Sequence, residues 1–256
     1  MEYLSNLFNI NITAGQVLLF FLCAMVTGMA KAGLKGIGLA IVPVMALIFG
    51  AQESTGILLP VLIMADIMAV IYYRKHAEWR FIIMLLPASI AGIVAGQITG
   101  KYISPAQFSI ILSSLVIIML VLMIINDLMK NKYKKIPDGP VFASLMGIAG
   151  GFATMIGNSA GPVFNLYFLA MRMPKKEFIG TAAWFFLIIN VIKVPFHIFS
   201  WHTITPDTII ISLSALPAVA AGIVAGIYLV KLFPEKFYRY FVIATTVISA
   251  IALFLK

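Results

Sequence analysis

Three lysines lie inside long apolar stretches of this sequence: Lys31, Lys35 and Lys193. One carboxylate, Asp66, is similarly enclosed. A lysine in the middle of a membrane costs about 3 kcal/mol or more unless something compensates its charge, so each of these positions is a candidate for chemistry. Lys31 and Lys35 sit in GMAKAGLKGIG (28–38). Glycines such as Gly33 and Gly36 let a backbone unwind and approach a ligand closely. A helix that starts after Gly36 would point its positive end inward, which suits an anion. If residues 31–35 are helical, the two lysines share a face and repel unless something negative lies nearby.

The second constellation is TMIGNSAGP (154–162). Asn158 and Ser159 offer side-chain donors, Gly157 and Gly161 allow a break, and Pro162 suits the first turn of a new helix. Two helix starts at one depth would clamp a small oxyanion; an N-cap without a ligand is the alternative. Lys193 lies in NVIKVPF, with Asn190 almost one turn earlier. It either binds the anion or pairs with Asp66. Asp66 itself reads as a coupling site for a proton or cation, or as the structural partner of a lysine or of freed backbone. The expected substrate contacts are Lys31, Gly33, Lys35, Gly36, Asn158, Ser159, Gly161, Asn190 and Lys193.

The elements that must hold these residues are membrane helices. Of the 256 residues, 62% are hydrophobic and only 11% charged, and the mean hydropathy is +1.06. A soluble domain is nearer half apolar and could not cover its surface with so few charges. A spanning helix needs about 20 apolar residues. The candidate spans are 55–73, 81–100, 106–126, 178–200, 208–230 and 237–255. The stretches 14–50 and 141–171 are apolar but interrupted, and each reads as two short helices meeting inside the membrane.

Thirteen of the eighteen Lys and Arg residues fall in four loops, 74–80, 127–140, 172–177 and 231–239. Threading the spans puts all four on one side, which the positive-inside rule makes cytoplasmic, with both termini outward. The +9 net charge is thereby explained by orientation rather than by nucleic acid. Residues Met1–Thr13 carry no basic n-region or small-residue cleavage site, so a signal peptide is not expected. Cys23 is alone and reads as a small buried hydrophobe. His197 and His202, near Trp201, read as part of an outer interfacial belt rather than as metal ligands. No metal, cofactor or phosphate-binding loop is expected.

The sequence also repeats. LPASIAGIVAG (86–96) and LPAVAAGIVAG (216–226) agree at nine of eleven positions. Upstream, at an offset of 124, Glu53 pairs with Glu177, Gly56 with Gly180 and Asp66 with Asn190. Each half reads as a broken (re-entrant) hairpin followed by three spans, an odd number of crossings. The expected architecture is therefore an all-α polytopic membrane protein of two inverted repeats. The first repeat covers 1–126, a basic cytoplasmic linker 127–140, and the second repeat 141–256.

The segments GMAKAGLKGIGLAIVPVMA (28–46), GGFATMIGNSAGPVFNLYFL (150–169) and PKKEFIGTAAWFFLIINVIKVPFHI (174–198) resemble the TauE/SafE family of membrane permeases, described as sulfite or organosulfonate exporters. The resemblance spans nearly the whole chain. It implies a non-enzymatic permease of the inner membrane that exports a small oxyanion. Where many members carry Gly-Gly-Gly in the first hairpin, this chain has Lys31 and Lys35 among its glycines. An anion channel using the same helix ends, or a carrier for a small carboxylate, are the alternatives. The expected partners are the anionic substrate, membrane lipids and a coupling proton or cation, with a homodimer left open.

Overall fold

The computed structural model describes residues 13–32, 37–73, 77–128, 139–171 and 173–232, together with positions 244, 247, 248, 251 and 255. The described chain is helical throughout. Helix α1 is Ala14–Lys31, α2 Gly38–Phe49, α3 Glu53–Tyr73, α4 Trp79–Tyr102 and α5 Pro105–Leu128. Helix α6 is Pro140–Gly157, α7 Gly161–Ala170, α8 Lys175–Phe199, α9 Pro206–Ser214 and α10 Leu216–Leu232. Seven helical stretches among the described residues are long and apolar enough to cross a membrane. The expected span 237–255 lies almost wholly outside the described residues.

Local chemistry sets the ends. Thr13 and Gln16 form a reciprocal capping box at the start of α1, satisfying backbone donors that the first turn leaves open. Thr205 and Thr208 do the same for α9, with Pro206 at its first position. Gly50, at φ 95°, stops α2 where a side chain would be strained. The expected span 208–230 is two helices, α9 and α10, joined at Ala215, whose N–H closes a tight turn onto Ser212. The second copy of the LPxxxAGIVAG motif therefore begins a helix, whereas the first lies within continuous α4.

Both interrupted stretches break as expected, but unequally. Helices α1 and α6 have 18 residues each, about 27 Å at 1.5 Å per residue, close to a bilayer core. Helices α2 and α7 have 12 and 10 residues and return only part of that distance. Of the two short helices expected in each stretch, the first is long enough to cross and only the second is short.

Packing follows the repeated glycines. Helix α4 packs on α6, and α10 packs on α1. A Cβ on Gly92 would meet the Ile148 carbonyl, and one on Gly151 the Ser89 carbonyl. At the other contact, a Cβ on Gly222 would meet the Met25 carbonyl, and one on Gly28 the Val219 carbonyl. Glycine allows these backbones to touch, the means by which membrane helices associate without a hydrophobic driving force. Helices α3 and α8 run antiparallel through the centre. Gly56 packs against Thr203 beyond the end of α8, Asp66 meets Asn190, and the Glu78 N–H donates to Thr181 near the start of α8.

Candidate functional site

The centre of the bundle is where α1 ends, where α6 breaks from α7, and where α3 and α8 cross between them. Two polar clusters meet there.

The first is built on Asp66, a fully buried residue of α3. Lys31, the last residue of α1, reaches it with Nζ 2.6 Å from Oδ1. Asn190 of α8 donates from Nδ2 to Oδ2 at 2.7 Å. The Lys31 ammonium also stands 4.4 Å from the centroid of the Phe186 ring, a favourable position for a partly desolvated cation. Both oxygens of the carboxylate are thus engaged, one by a charge and one by an amide. Helix α1 ends at Lys31, with Ala32 as its cap. Gly33, Lys35 and Gly36 lie outside the described residues.

The second cluster is built on Lys193 of α8, which has no solvent exposure. Its ammonium donates to the Thr154 carbonyl and to Thr154 Oγ1, each at 3.0 Å, and to Asn158 Oδ1 at 2.5 Å. An ammonium has three donors, and these three oxygens take them all. All three acceptors are neutral. Thr154 and Asn158 belong to the C-terminal end of α6, where exposed carbonyls and the negative end of the helix dipole favour a cation. The sequence suggested helix starts converging here; for Lys193 the operative end is a helix stop. Asn158 makes that stop by adopting φ 53°, a left-handed conformation that Asn tolerates. Its Nδ2 donates to the Thr55 carbonyl of α3 at 3.2 Å.

In this structure Lys31, not Lys193, pairs with Asp66, the second of the two readings of the sequence for Lys193 being absent here. Lys31 arrives from the end of α1, and Asn190 fills the carboxylate's other side, so Lys193 is left to the α6 terminus. Ser159 turns back into the helix end, its Oγ donating to the Ala153 carbonyl at 3.3 Å. A Cβ on Gly161 would meet nothing within 4 Å, so open space lies at the start of α7.

His197 does not lie on the lipid-facing surface of the bundle as a belt residue would. It is fully buried, one helical turn beyond Lys193 on the same face of α8. Its Nδ1 pairs with Thr203 Oγ1 at 2.8 Å, and its Nε2 has no hydrogen-bond partner among the described residues. The ring packs edge-on against Trp201, whose Nε1 donates to the Gln97 carbonyl. Gln97 in turn donates to Ser200, and Gln52 to the Gly100 carbonyl. These bonds tie α3, α4 and the end of α8 together. Towards the other end of the bundle, a cavity of about 300 Å³ is lined by Lys31, Met68, Tyr72, Tyr73 and Ile223 among others.

Thr154, quoted in the second constellation without a role, holds Lys193, and His197, read as interfacial, is buried in the bundle. Their spacing relates both to the named residues. Thr154 precedes Asn158 by one helical turn, and His197 follows Lys193 by one.

No curated relative and no solved structure matches the chain significantly. The family model for the sulfite exporter TauE/SafE matches residues 19–253, a family of membrane transporters, and the stretch includes both clusters. The chain therefore belongs to the TauE/SafE sulfite exporter family.

Proposed function

We propose that this protein is a secondary transporter that exports a small oxyanion, sulfite or an organosulfonate, across the inner membrane. One observation carries the reading. Lys193 is a buried ammonium whose described partners are all neutral oxygens, whereas Lys31 is balanced by Asp66. The cluster of Lys31, Asp66 and Lys193 therefore holds one positive charge in excess. A buried charge without a counterion is costly, and an anion passing through would relieve that cost. Lys193 and the break before α7 at Gly161 form the anion site, Asn158 occupies it when empty, Asn190 and Ser159 line it, and Lys31 faces it; Gly33, Lys35 and Gly36, the other expected contacts, lie outside the described residues.

Asp66 acts as the coupling group: a proton taken by its carboxylate would release Lys31. The organisation is that of two inverted repeats, 1–126 and 141–256, joined by a basic cytoplasmic linker at 127–140. The antiparallel course of α3 and α8 supports this, as does the matched packing of α4 on α6 and α10 on α1. Both termini face outward, and the cavity beside Lys31 faces the cytoplasm.

The test is counterflow of labelled sulfite and sulfoacetate in proteoliposomes. Acceleration of uptake by unlabelled anion inside supports a carrier. Equal flux with and without internal anion would make the protein a channel. Exchange of acetate in place of either sulfur anion would make it a carboxylate carrier.

A further inference from the structure

The three acceptors around Lys193 are not equivalent. The Thr154 carbonyl belongs to the last turn of α6, where it also accepts from the Asn158 N–H at 3.0 Å, and the Thr154 side chain is buried. The third acceptor is a side-chain amide on a residue between two helices. Asn158 is partly exposed, and apart from Lys193 its side chain makes the single bond to Thr55. The shortest contact to the ammonium, 2.5 Å, is thus made by the one acceptor on a partly exposed residue. An amide oxygen offers a partial negative charge where an oxyanion offers a full one, and hydrogen bonds between two charged groups are the stronger kind.

We propose that the Asn158 side chain is a stand-in for the substrate anion: it satisfies Lys193 while the site is empty and swings aside when an oxyanion takes its place. The open space at Gly161 lies three residues along the same break and gives the exchange room. Because the same amide holds the Thr55 carbonyl, its departure also releases the α6–α7 break from α3. Occupancy of the site is thereby linked to the tie between the two central helical units. This inference rests on the reading of Lys193 as the anion site and adds how that site is kept closed when empty.

Two substitutions separate a stand-in from a simple helix cap. Asn158→Gly preserves the left-handed backbone and removes the amide. Asn158→Asp keeps the shape and tethers a full negative charge beside Lys193. Sulfite and sulfoacetate binding is measured on the purified protein in detergent by anion-dependent thermal shift, with proteoliposome counterflow alongside. The expected result is that Asn158→Asp weakens apparent affinity about 10- to 100-fold, while Asn158→Gly binds as tightly as wild type or more so. Wild-type affinity in both variants would make the side chain only a cap. Loss of affinity in Asn158→Gly would make Asn158 a direct ligand instead. Either result overturns the inference and leaves the anion site standing. Wild-type affinity in Lys193→Met, or no anion effect on the wild-type protein, would bring down the functional reading itself.

Discussion

Asp66 and Asn190 stand 124 residues apart in the chain and meet at 2.7 Å in its centre, the amide donating to the carboxylate. They are also the two positions that the 124-residue offset in the sequence pairs. A chain with Asp at both would press two carboxylates together at a depth where neither is solvated, and one would have to hold a proton. Asn in the second half removes that conflict and supplies a donor. With Asn190 on one oxygen and Lys31 on the other, the carboxylate joins α1, α3 and α8.

Asp66→Asn leaves the Lys31 ammonium without its counterion. We expect a loss of about 3 kcal/mol or more in stability, the usual effect of removing one partner from a buried pair. The double variant Lys31→Met, Asp66→Asn is expected to recover much of it. Thermal unfolding of the single and double variants in detergent measures the coupling; equal losses in the single and double variants would show that the pair contributes nothing.

Lys193→Met keeps most of the side-chain volume and removes the charge. The variant is expected to fold, because three neutral oxygens tolerate a missing donor better than a missing acceptor would leave an ammonium. Anion counterflow should fall by about 100-fold or more, in line with the loss of a hydrogen-bonded charge in a dry site. Full activity would remove Lys193 from the transport path.

The glycine contacts are testable by volume. Gly92→Ala and Gly222→Ala each drive a methyl group into a facing backbone and are expected to cost about 1–3 kcal/mol, the usual effect of overpacking. Gly15→Ala, whose methyl meets only Thr13 at 4.0 Å, serves as the control. Similar melting temperatures for all three would mean that the helices separate without cost.

His197→Phe removes the partner of the Thr203 hydroxyl in a fully buried setting. The expected cost is about 1–3 kcal/mol for the stranded hydroxyl, read as a lower melting temperature. An unchanged melting temperature would show that the His197–Thr203 bond contributes little at that end of α8.

Sidedness is read by labelling. Cys23 is buried, so it gives a low background for a membrane-impermeant thiol reagent. Lys132→Cys in the basic linker is expected to react only from the cytoplasmic side, and His202→Cys, on an exposed residue, only from the outside. The reverse pattern would invert the topology.

The sequence by itself determined the class of molecule and the helix breaks beside which its buried polar clusters form. Apolar runs of spanning length can be satisfied only as helices in a membrane, because no water is there to take backbone hydrogen bonds. The glycine-rich interruptions at 28–38 and 154–162 marked where those helices must stop, and the enclosed lysines marked where charge needs an answer. Pairing was another matter. Which lysine meets Asp66 depends on where α1 ends relative to α3 and α8, and helix ends in space are not encoded in local spacing. The burial of His197 likewise depends on the chain beyond α8 folding back, so that Thr203 and Trp201 cover it. Read along the chain, a histidine beside a tryptophan near the end of a span looks interfacial. Only the packing of α3 and α4 against that end covers it with protein, because tertiary contacts rather than sequence position decide which face of a terminal turn meets lipid and which meets protein.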